Sequence, residues 1–360
     1  MSATTPSTTT AQEADGQQPA GGRRLTLGLG SLRAYGLVIA IILLSIFFWS
    51  QRPTYLSPDN LFGLLRSMAA LSIMAIAQLL VIVSGELDLS VGSIYGLAAT
   101  TLAVLWLGPA PGFESQGFSF PIALPLLVAL VLALSVGVFA GAVNAFFTTV
   151  VKIPSFIATL GMLSIASGVE FYIGNVSNFN PAYNVPPPDP GELSLFRAIG
   201  ATKLPFEDLP IPVLWMAIFA VFFWVLLHRS LFGFRLLAIG GNPAAAQIAR
   251  LPVRKYKFVV FMLCSLMAAV AGILDFSYIG SVGPNSGAAF TFPVFAAVVI
   301  GGASLSGGKG TVVGAILGAA LLAVLRNGMA IMGVGAFLGL IFVGVVTIGA
   351  VTLDRLAQRK

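Results

Sequence analysis

The chain has 360 residues, of which 57% are hydrophobic and only 9% are charged. Soluble proteins carry about 25% charged residues, so this composition excludes a soluble globular domain, whose surface it could not cover. The apolar runs at 123–143 and 312–325 are long and unbroken, whereas a membrane β-barrel requires alternating segments of about ten residues. Because the backbone must satisfy its own hydrogen bonds in lipid, the sequence predicts an all-α, polytopic membrane protein.

The predicted elements begin with a cytoplasmic tail at 1–30, whose first 22 residues are rich in Ser, Thr, Ala, Gln and Gly and are expected to be disordered. A membrane helix needs about 20 apolar residues, which predicts a bundle of about ten helices between 31 and 354, with broken or re-entrant elements among them. A second cytoplasmic tail follows at 355–360. The predicted spanning segments are 34–50, 63–84, 89–107, 122–148, 154–173, 211–228, 257–279, 290–306, 311–331 and 335–353.

Positive charge is distributed unevenly between the two sides of these segments. With the N-terminus in the cytoplasm, 14 of the 19 lysines and arginines fall on the cytoplasmic side. The reverse orientation would place the basic stretch at 229–257 outside, against the positive-inside rule. We therefore expect an inner-membrane protein with both termini in the cytoplasm. The net charge of +6 then requires no nucleic-acid partner.

Two connections between the predicted helices have distinctive sequences. The outer connection at 174–210 contains five prolines between 181 and 190, which forbid a long helix there. It covers a pore mouth, contacts an external partner, or is a passive linker. The inner connection at 228–258 predicts a short surface helix, with Asn242 as N-cap, Pro243 at the first helical position and Pro252 as its end. This helix either anchors the chain to anionic lipid or docks a cytoplasmic protein.

Ionisable residues within membrane segments are costly and are functional candidates by default. Glu86 and Asp88 lie in a stretch with the sequence SGELDLSVGS, whose glycines and serines allow a helix to break around a cavity. The same stretch also fits a tight cytoplasmic turn in which Asp88 or Ser90 caps the next helix. Two further carboxylates, Glu170 and Asp275, lie near outer helix ends and either reach the membrane interface or face a pathway.

Asn144 is a polar residue within the fourth predicted segment. Amides in membrane helices often hydrogen-bond across to a neighbouring helix. Both an interhelical bond and a substrate contact are therefore compatible with this position.

The sequence contains no recognisable catalytic or cofactor site. The single cysteine, Cys264, and the single histidine, His228, lack the partners that a metal site requires. The glycine-rich tract at 301–311 lacks the strand–loop–helix spacing of a phosphate-binding loop. We therefore expect no enzyme and no cofactor bound by this chain; if ATP and Mg²⁺ power transport, a separate subunit uses them.

Four motifs, in the same order along the chain, resemble those of the ribose-type permeases of bacterial ABC importers. They are SGELDLSVGS at 84–93, KIPSFIATLGM at 152–162, FGFRLLAIGGNPAAA at 232–246, and AAVVIGGASLSGGKGT at 296–311 followed by LRNG at 325–328. The chain departs from that family's usual pattern at 291–293, where Thr-Phe-Pro replaces an acidic stretch, and at Ala244, where a glutamate is usual.

The resemblance implies a channel made of two permease subunits, identical or different, with about ten helices in each. It also implies a cytoplasmic ATPase, a periplasmic sugar-binding protein, and a monosaccharide or related polyol as cargo. The coupling role falls on Gly241, Asn242, Pro243, Ala244, Ala245, Ala246 and Arg250. Candidate pathway residues are Glu86, Asp88 and Ser90 from the resemblance, with Asn144 and Asp275 added from their positions in membrane segments.

Two other classes of transporter remain open at this stage. A secondary transporter or channel would need ion-coupling carboxylates in the membrane, and Glu86 with Asp88 would serve. A branched-chain amino-acid permease is the other neighbour, although the DLSVGS motif favours the sugar side. An intramembrane enzyme would require a convergent nucleophile or metal set, which the sequence lacks.

Overall fold

The computed structural model describes residues 29–108, 123–204 and 209–335, together with the helical positions 338–339, 341–342, 344–345, 348–349 and 352. The predicted tail at 355–360, and all but the last two residues of the tail at 1–30, lie outside the described residues. Every regular element in the described part of the chain is a helix, and extended pairing there is limited to two isolated bridges. The prediction of an all-α membrane protein is therefore confirmed.

Seven of the described helices are long and apolar enough to cross a membrane. They are α1 (Leu29–Gln51), α2 (Pro58–Val83), α4 (Leu126–Phe146, continued by a π-helical turn at Phe147–Val151), α5 (Ser155–Gly174), α7 (Ile211–His228), α10 (Val253–Ile279) and α12 (Val312–Ile331). The shorter helices are α3 (Val91–Leu107), α6 (Pro190–Gly200), α8 (Leu231–Gly241), α9 (Pro243–Ile248) and α11 (Thr291–Ile300), with a 3-10 turn at Pro53–Leu56.

The predicted count of about ten spanning helices is therefore not confirmed. The third predicted segment, 89–107, corresponds to α3, which has only 17 residues. The eighth, 290–306, contains only the ten residues of α11, because Gly301 and Gly302 end that helix. Of the tenth, 335–353, about half of the positions lie outside the described residues, and the described positions from 338 onward are helical.

The ends of α2 and α11 are built alike. Each helix closes on a glycine with positive φ, 84° at Gly85 and 91° at Gly302, a conformation that side chains with a Cβ avoid. The N–H of the following residue then bonds back to the carbonyl five residues earlier, as in Glu86 N to Val81 O at 3.1 Å. These are glycine C-terminal turns, and the turn at Gly85 lies in the stretch 84–93, whose glycines and serines allowed a break.

The helices form a central group surrounded by an outer group. In the apolar windows of α2, α10 and α12, 83%, 67% and 56% of residues are buried, against 6% to 33% in α1, α4, α5 and α7. The outer helices expose large apolar side chains such as Leu43, Phe139 and Val221, as lipid contact requires. The central group, which includes the fully buried α3, carries most of the polar side chains described below.

The bundle has two faces at which the helices are connected. We call the basic face the one where α2 ends and α5 and α10 begin, because Arg254, Lys255 and Lys257 lie there. The far face is the one where α3 and α10 end and α4 and α7 begin. A 3.0 Å bond from Leu87 N to Ser155 Oγ joins elements on the basic face.

The proline-rich connection on the far face is folded against the bundle. Asp189 caps α6 by accepting the N–H groups of Gly191 and Glu192, and Phe196 packs between Trp106 and Phe276 at centroid distances of 4.8 Å. The Glu192 carboxylate accepts the indole N–H of Trp106 at 2.8 Å. Because these contacts fix the connection against α3 and α10, it is part of the folded far face and not a passive linker.

Candidate translocation and coupling sites

A cavity of about 540 Å³ opens among α2, α3, α10 and α12 on the far-face side of the bundle. Its deepest lining residues are Leu71, Tyr95 and Phe290, which lie furthest along their segments from the far face. The rings of Tyr95 and Phe290 are 4.9 Å apart. The polar side chains in its wall include Arg66, Asp275, Ser286, Arg326 and Asn327.

Three of the polar groups in this cavity form one network. Arg66 Nη1 lies 3.1 Å from Asp275 Oδ1, and the Tyr95 hydroxyl donates to Asp275 Oδ2 at 2.6 Å. The Arg66 guanidinium also stacks over Tyr278, 4.6 Å from the ring centroid. Both oxygens of Asp275 therefore have partners, and its charge is balanced by Arg66.

The second polar site is the break between α2 and α3. Asp88 is 1% exposed, and its Oδ1 accepts the Ser90 N–H at 2.8 Å and the Ser90 hydroxyl at 2.6 Å. The Asn144 amide of α4 donates to Ser90 Oγ at 2.9 Å, while Gln78 of α2 donates to the Asp88 carbonyl at 3.0 Å. The break is thus tied to two neighbouring helices.

The hydrogen bonds at this break match parts of both sequence interpretations. Asp88 holds the backbone at the start of α3, as a capping residue does, whereas the Ser90 side chain makes no cap bond. Asn144 forms the interhelical bond that its position allowed. Asp88 Oδ2 and Asn144 Oδ1 are buried and have no hydrogen-bond partner in the described part of the chain. Two acceptor atoms of this network are therefore unused.

The third site lies on the basic face. Glu86 forms an ion pair with Lys257 of α10, and the two side chains are 15% and 16% exposed. The pair borders an open groove of about 890 Å³ that also contains Lys152 and Arg254. Arg254 Nε donates to the Thr149 carbonyl in the π-helical turn after α4 at 3.0 Å. On the basic face, α10 is therefore bonded both to the break after α2 and to the turn after α4.

A short surface helix lies beside this groove. Asn242 Oδ1 accepts the Ala245 N–H at 3.0 Å, as the N-cap prediction required, and Pro243 stands in the first turn of α9. The prediction that Pro252 ends this helix is wrong. Helix α9 ends at Ile248 because Arg250 takes a φ of 57° and the Leu251 N–H turns back to the Ala246 carbonyl at 3.0 Å.

The element before α9 is locked to the end of α2. A Cβ on Gly240 would collide with the Val83 carbonyl oxygen, so only glycine allows α8 to lie this close. The same carbonyl accepts the Gly308 N–H at 2.8 Å. The end of α2, the end of α8 and the glycine-rich tract at 301–310 therefore meet at one point, which we call the junction.

The five predicted pathway residues are divided among these three sites. Asp88, Ser90 and Asn144 share one network, Glu86 lies on the basic face, and Asp275 lies in the far-face cavity. Asp275 is buried in the cavity wall and paired with Arg66.

Glu170, the other carboxylate predicted near an outer helix end, is also buried. It is 2% exposed, its carboxylate lies over Gly96 of α3, and it is close to the backbone of Asn285 and Ser286. Glu170 therefore lies between α3 and the irregular segment before α11.

Arg66, Tyr95 and Arg326 were missed as site residues in the sequence. A signal existed for Arg66 and Arg326, because each is an arginine within a predicted spanning segment. Tyr95 carried no such signal, since an aromatic residue in an apolar helix is ordinary.

A multi-helix membrane protein with a polar cavity on one face, polar groups at helix breaks and a surface helix on the other face has the architecture of a permease. Residues 60–351 match the family described as branched-chain amino acid transport system / permease component. The chain is 32% identical to the ribose import permease protein of Escherichia coli K12, covering 95% of this chain and 99% of that protein.

Two further relatives are also sugar permeases that match most of the chain. The ribose import permease protein of Bacillus subtilis 168 is 34% identical over 89% of this chain and 91% of its own length. The xylose transport system permease protein of Escherichia coli K12 is 31% identical over 92% of this chain and 93% of its own length. No solved structure matches the chain. The chain belongs to the family of ribose-type ABC import permeases.

Proposed function

We propose that this chain is the membrane-spanning permease subunit of an ATP-driven importer for a monosaccharide or a related polyol. The relatives support this class of cargo, since two are named for ribose import and one for xylose transport. The cavity suits such cargo because it combines aromatic side chains with closely placed polar groups. Its wall includes Phe276 and Phe290 beside the Arg66–Asp275 pair.

The observation that carries this proposal is the course of α2. One continuous helix bears Arg66 in the far-face cavity and Val83 at the junction. These residues are about 26 Å apart at 1.5 Å per residue. A push on α8 and α9 at the basic face therefore reaches the cavity through a rigid element, as coupling between two states requires.

The basic face also presents a surface that suits a protein partner. Leu231, Phe234 and Ile248 are 72%, 71% and 85% exposed on the elements next to the junction. We assign this surface to the ATPase subunit, which would use ATP and Mg²⁺ while this chain binds no cofactor. A periplasmic sugar-binding protein would deliver cargo to the far face, and a second permease subunit, identical or different, would complete the channel.

The orientation follows from the same assignment. The basic face is cytoplasmic, in keeping with the positive-inside rule, and both termini are on that side. The deepest residues of the cavity, Leu71, Tyr95 and Phe290, then lie between periplasmic cargo and the cytoplasm, and helix movements at the break 84–90 open the way inward.

The first test is purification of the full chain from native membranes with identification of its partners by mass, followed by reconstitution. An ATPase and a periplasmic binding protein should co-purify, and uptake should require ATP. Transport by the lone chain without ATP would instead establish a secondary transporter or channel.

The second test is Ile248→Glu. A charge at this exposed apolar position should lower ATPase association and ATP-driven uptake by about tenfold or more, as loss of an interface hot spot does, with unchanged amounts of permease in the membrane. Tyr183→Glu, at an equally exposed position of the far face (82%), is the control for ATPase association. Normal association of the Ile248→Glu chain would contradict the assigned surface.

A further inference from the structure

The charges in the far-face cavity do not balance. Asp275 is the single carboxylate among the described residues that line it, and Arg66 and Arg326 are its two cations. Asp275 is already engaged by Arg66 at 3.1 Å and by the Tyr95 hydroxyl at 2.6 Å. One positive charge is therefore left over within the cavity.

That charge belongs to Arg326 of α12. In the described part of the chain this guanidinium makes no ion pair and no hydrogen bond, although it is only partly exposed. Its polar neighbour is not available as a partner, because Asn327 exchanges hydrogen bonds with Asn60 at 2.8 and 3.1 Å. The next residue, Gly328, is covered by the ring of Phe48.

A second unused polar group lies in the same wall. The Ser286 hydroxyl is buried and has no hydrogen-bond partner in the described part of the chain, and Ser286 lines the cavity. A buried hydroxyl and a half-buried guanidinium without partners both cost free energy. Ligand groups that enter the cavity would recover that cost.

The chemistry of a guanidinium selects the ligand group. Its planar donors match the two oxygens of a carboxylate or a phosphate, and such charge-assisted bonds are stronger than bonds to neutral hydroxyls. We infer that the cargo of this permease is a polyhydroxylated molecule bearing an oxyanion, a carboxylate or a phosphate, which Arg326 holds in the far-face cavity. Ser286 bonds a cargo hydroxyl, and Phe276 and Phe290 cover its apolar edge. This inference rests on the proposed transport function and narrows its substrate class.

Binding to the purified full-length permease in lipid nanodiscs tests the inference without any partner protein. The probes are two matched series: D-glucose, D-gluconate and D-glucose 6-phosphate, and D-ribose, D-ribonate and D-ribose 5-phosphate. We expect at least one anionic probe to bind about tenfold more tightly than its neutral sugar, the order of one charge-assisted hydrogen bond. The carboxylate and phosphate members of each series identify which oxyanion is preferred.

Variants then assign the preference to Arg326. Arg326→Gln should abolish the advantage of the anionic probe, Arg326→Lys should retain part of it, and Arg197→Gln, an exposed arginine of α6 near the same face, should retain all of it. If Arg326→Gln aggregates, the loss is measured with Arg326→Lys, for which a reduced but measurable advantage is expected.

Three outcomes of the binding measurements would overturn the inference: neutral sugars that bind as tightly as their acids, no binding of any anionic probe, or an advantage of the anionic probe that survives in Arg326→Gln. If Arg326→Gln instead weakens only the docking of the periplasmic protein, Arg326 contacts that protein and the inference is also wrong. ATP-driven uptake of a neutral sugar would leave the proposed function intact while refuting the anionic cargo. Oxyanion binding without ATP-driven uptake would support the binding site for an anion and refute the proposed function.

Discussion

At the scale of single residues, the ion pair between Glu86 and Lys257 joins the break after α2 to the start of α10. Both side chains are mostly buried, so removing one partner leaves the other charge poorly solvated. Lys257→Met should therefore lower the free energy of unfolding by about 2 kcal/mol. Glu86→Gln combined with Lys257→Met should recover much of that loss, because no unpaired charge remains.

Thermal unfolding in detergent, read as a double-mutant cycle, measures this coupling. Lys255→Met is the matched control, since Lys255 lies on the same helix but is exposed. Equal losses for Lys255→Met and Lys257→Met, or additive losses in the double variant, would show that the pair makes no specific contribution.

Residue-level prediction from the sequence succeeded where the partner is close along the chain. The N-cap role of Asn242 and the turn held by Asp88 follow from bonds to residues two or three positions away. It did not identify the partners of Asp275, because Arg66 and Tyr95 are 209 and 180 residues distant along the chain. Nothing in the spacing of these residues indicates that they share one cavity, because packing of α2, α3 and α10 brings them together.

At the scale of elements, the junction depends on one glycine. Gly240→Ala should place a methyl group against the Val83 carbonyl oxygen and cost about 2 kcal/mol through overpacking. The variant should also weaken the response of uptake to ATP, since it separates α8 from α2. Gly168→Ala in α5 is the matched control, because a Cβ there would meet nothing within 4 Å.

Thermal unfolding and ATP-driven uptake of the two variants form the comparison. The assignment of the junction as the link between α9 and α2 would fail if Gly240→Ala were as stable and as active as Gly168→Ala.

The observed ends of the helices show which signals in the sequence were sufficient to predict them. Gly85 ended α2 as expected, because a positive φ favours glycine, whereas Gly302 ended α11 within the predicted segment 290–306. Pro252 misled the prediction of the end of α9, since Arg250 adopts a positive φ that is uncommon for a side chain of its size. Helices α3 and α11 have only 17 and ten residues and are shorter than the predicted spanning segments. The predicted segments were too long because apolar residues also occur beyond a helix end, where other helices bury them.

At the scale of the whole molecule, the three polar sites lie in sequence along the central helices. The Arg66–Asp275 pair lies in the far-face cavity, the Asp88 network at the break between α2 and α3, and Glu86 with Lys257 on the basic face. Under the proposed function, these charged groups within an apolar bundle mark the path of the polar cargo. The direction of that path depends on which face is cytoplasmic.

Orientation can be measured because the chain has a single cysteine, Cys264, which is buried in α10 with 1% exposure. The unmodified protein should therefore resist a membrane-impermeant maleimide, and it provides the background. A cysteine introduced as Tyr183→Cys, at an 82% exposed position of the far face, should react in intact cells. One introduced as Ile248→Cys, at an 85% exposed position of the basic face, should react only after permeabilisation. The physical reason is the excess of lysine and arginine on the basic face, which retains that face in the cytoplasm. Labelling of Ile248→Cys in intact cells, with Tyr183→Cys protected, would invert the path and make the far-face cavity open to the cytoplasm.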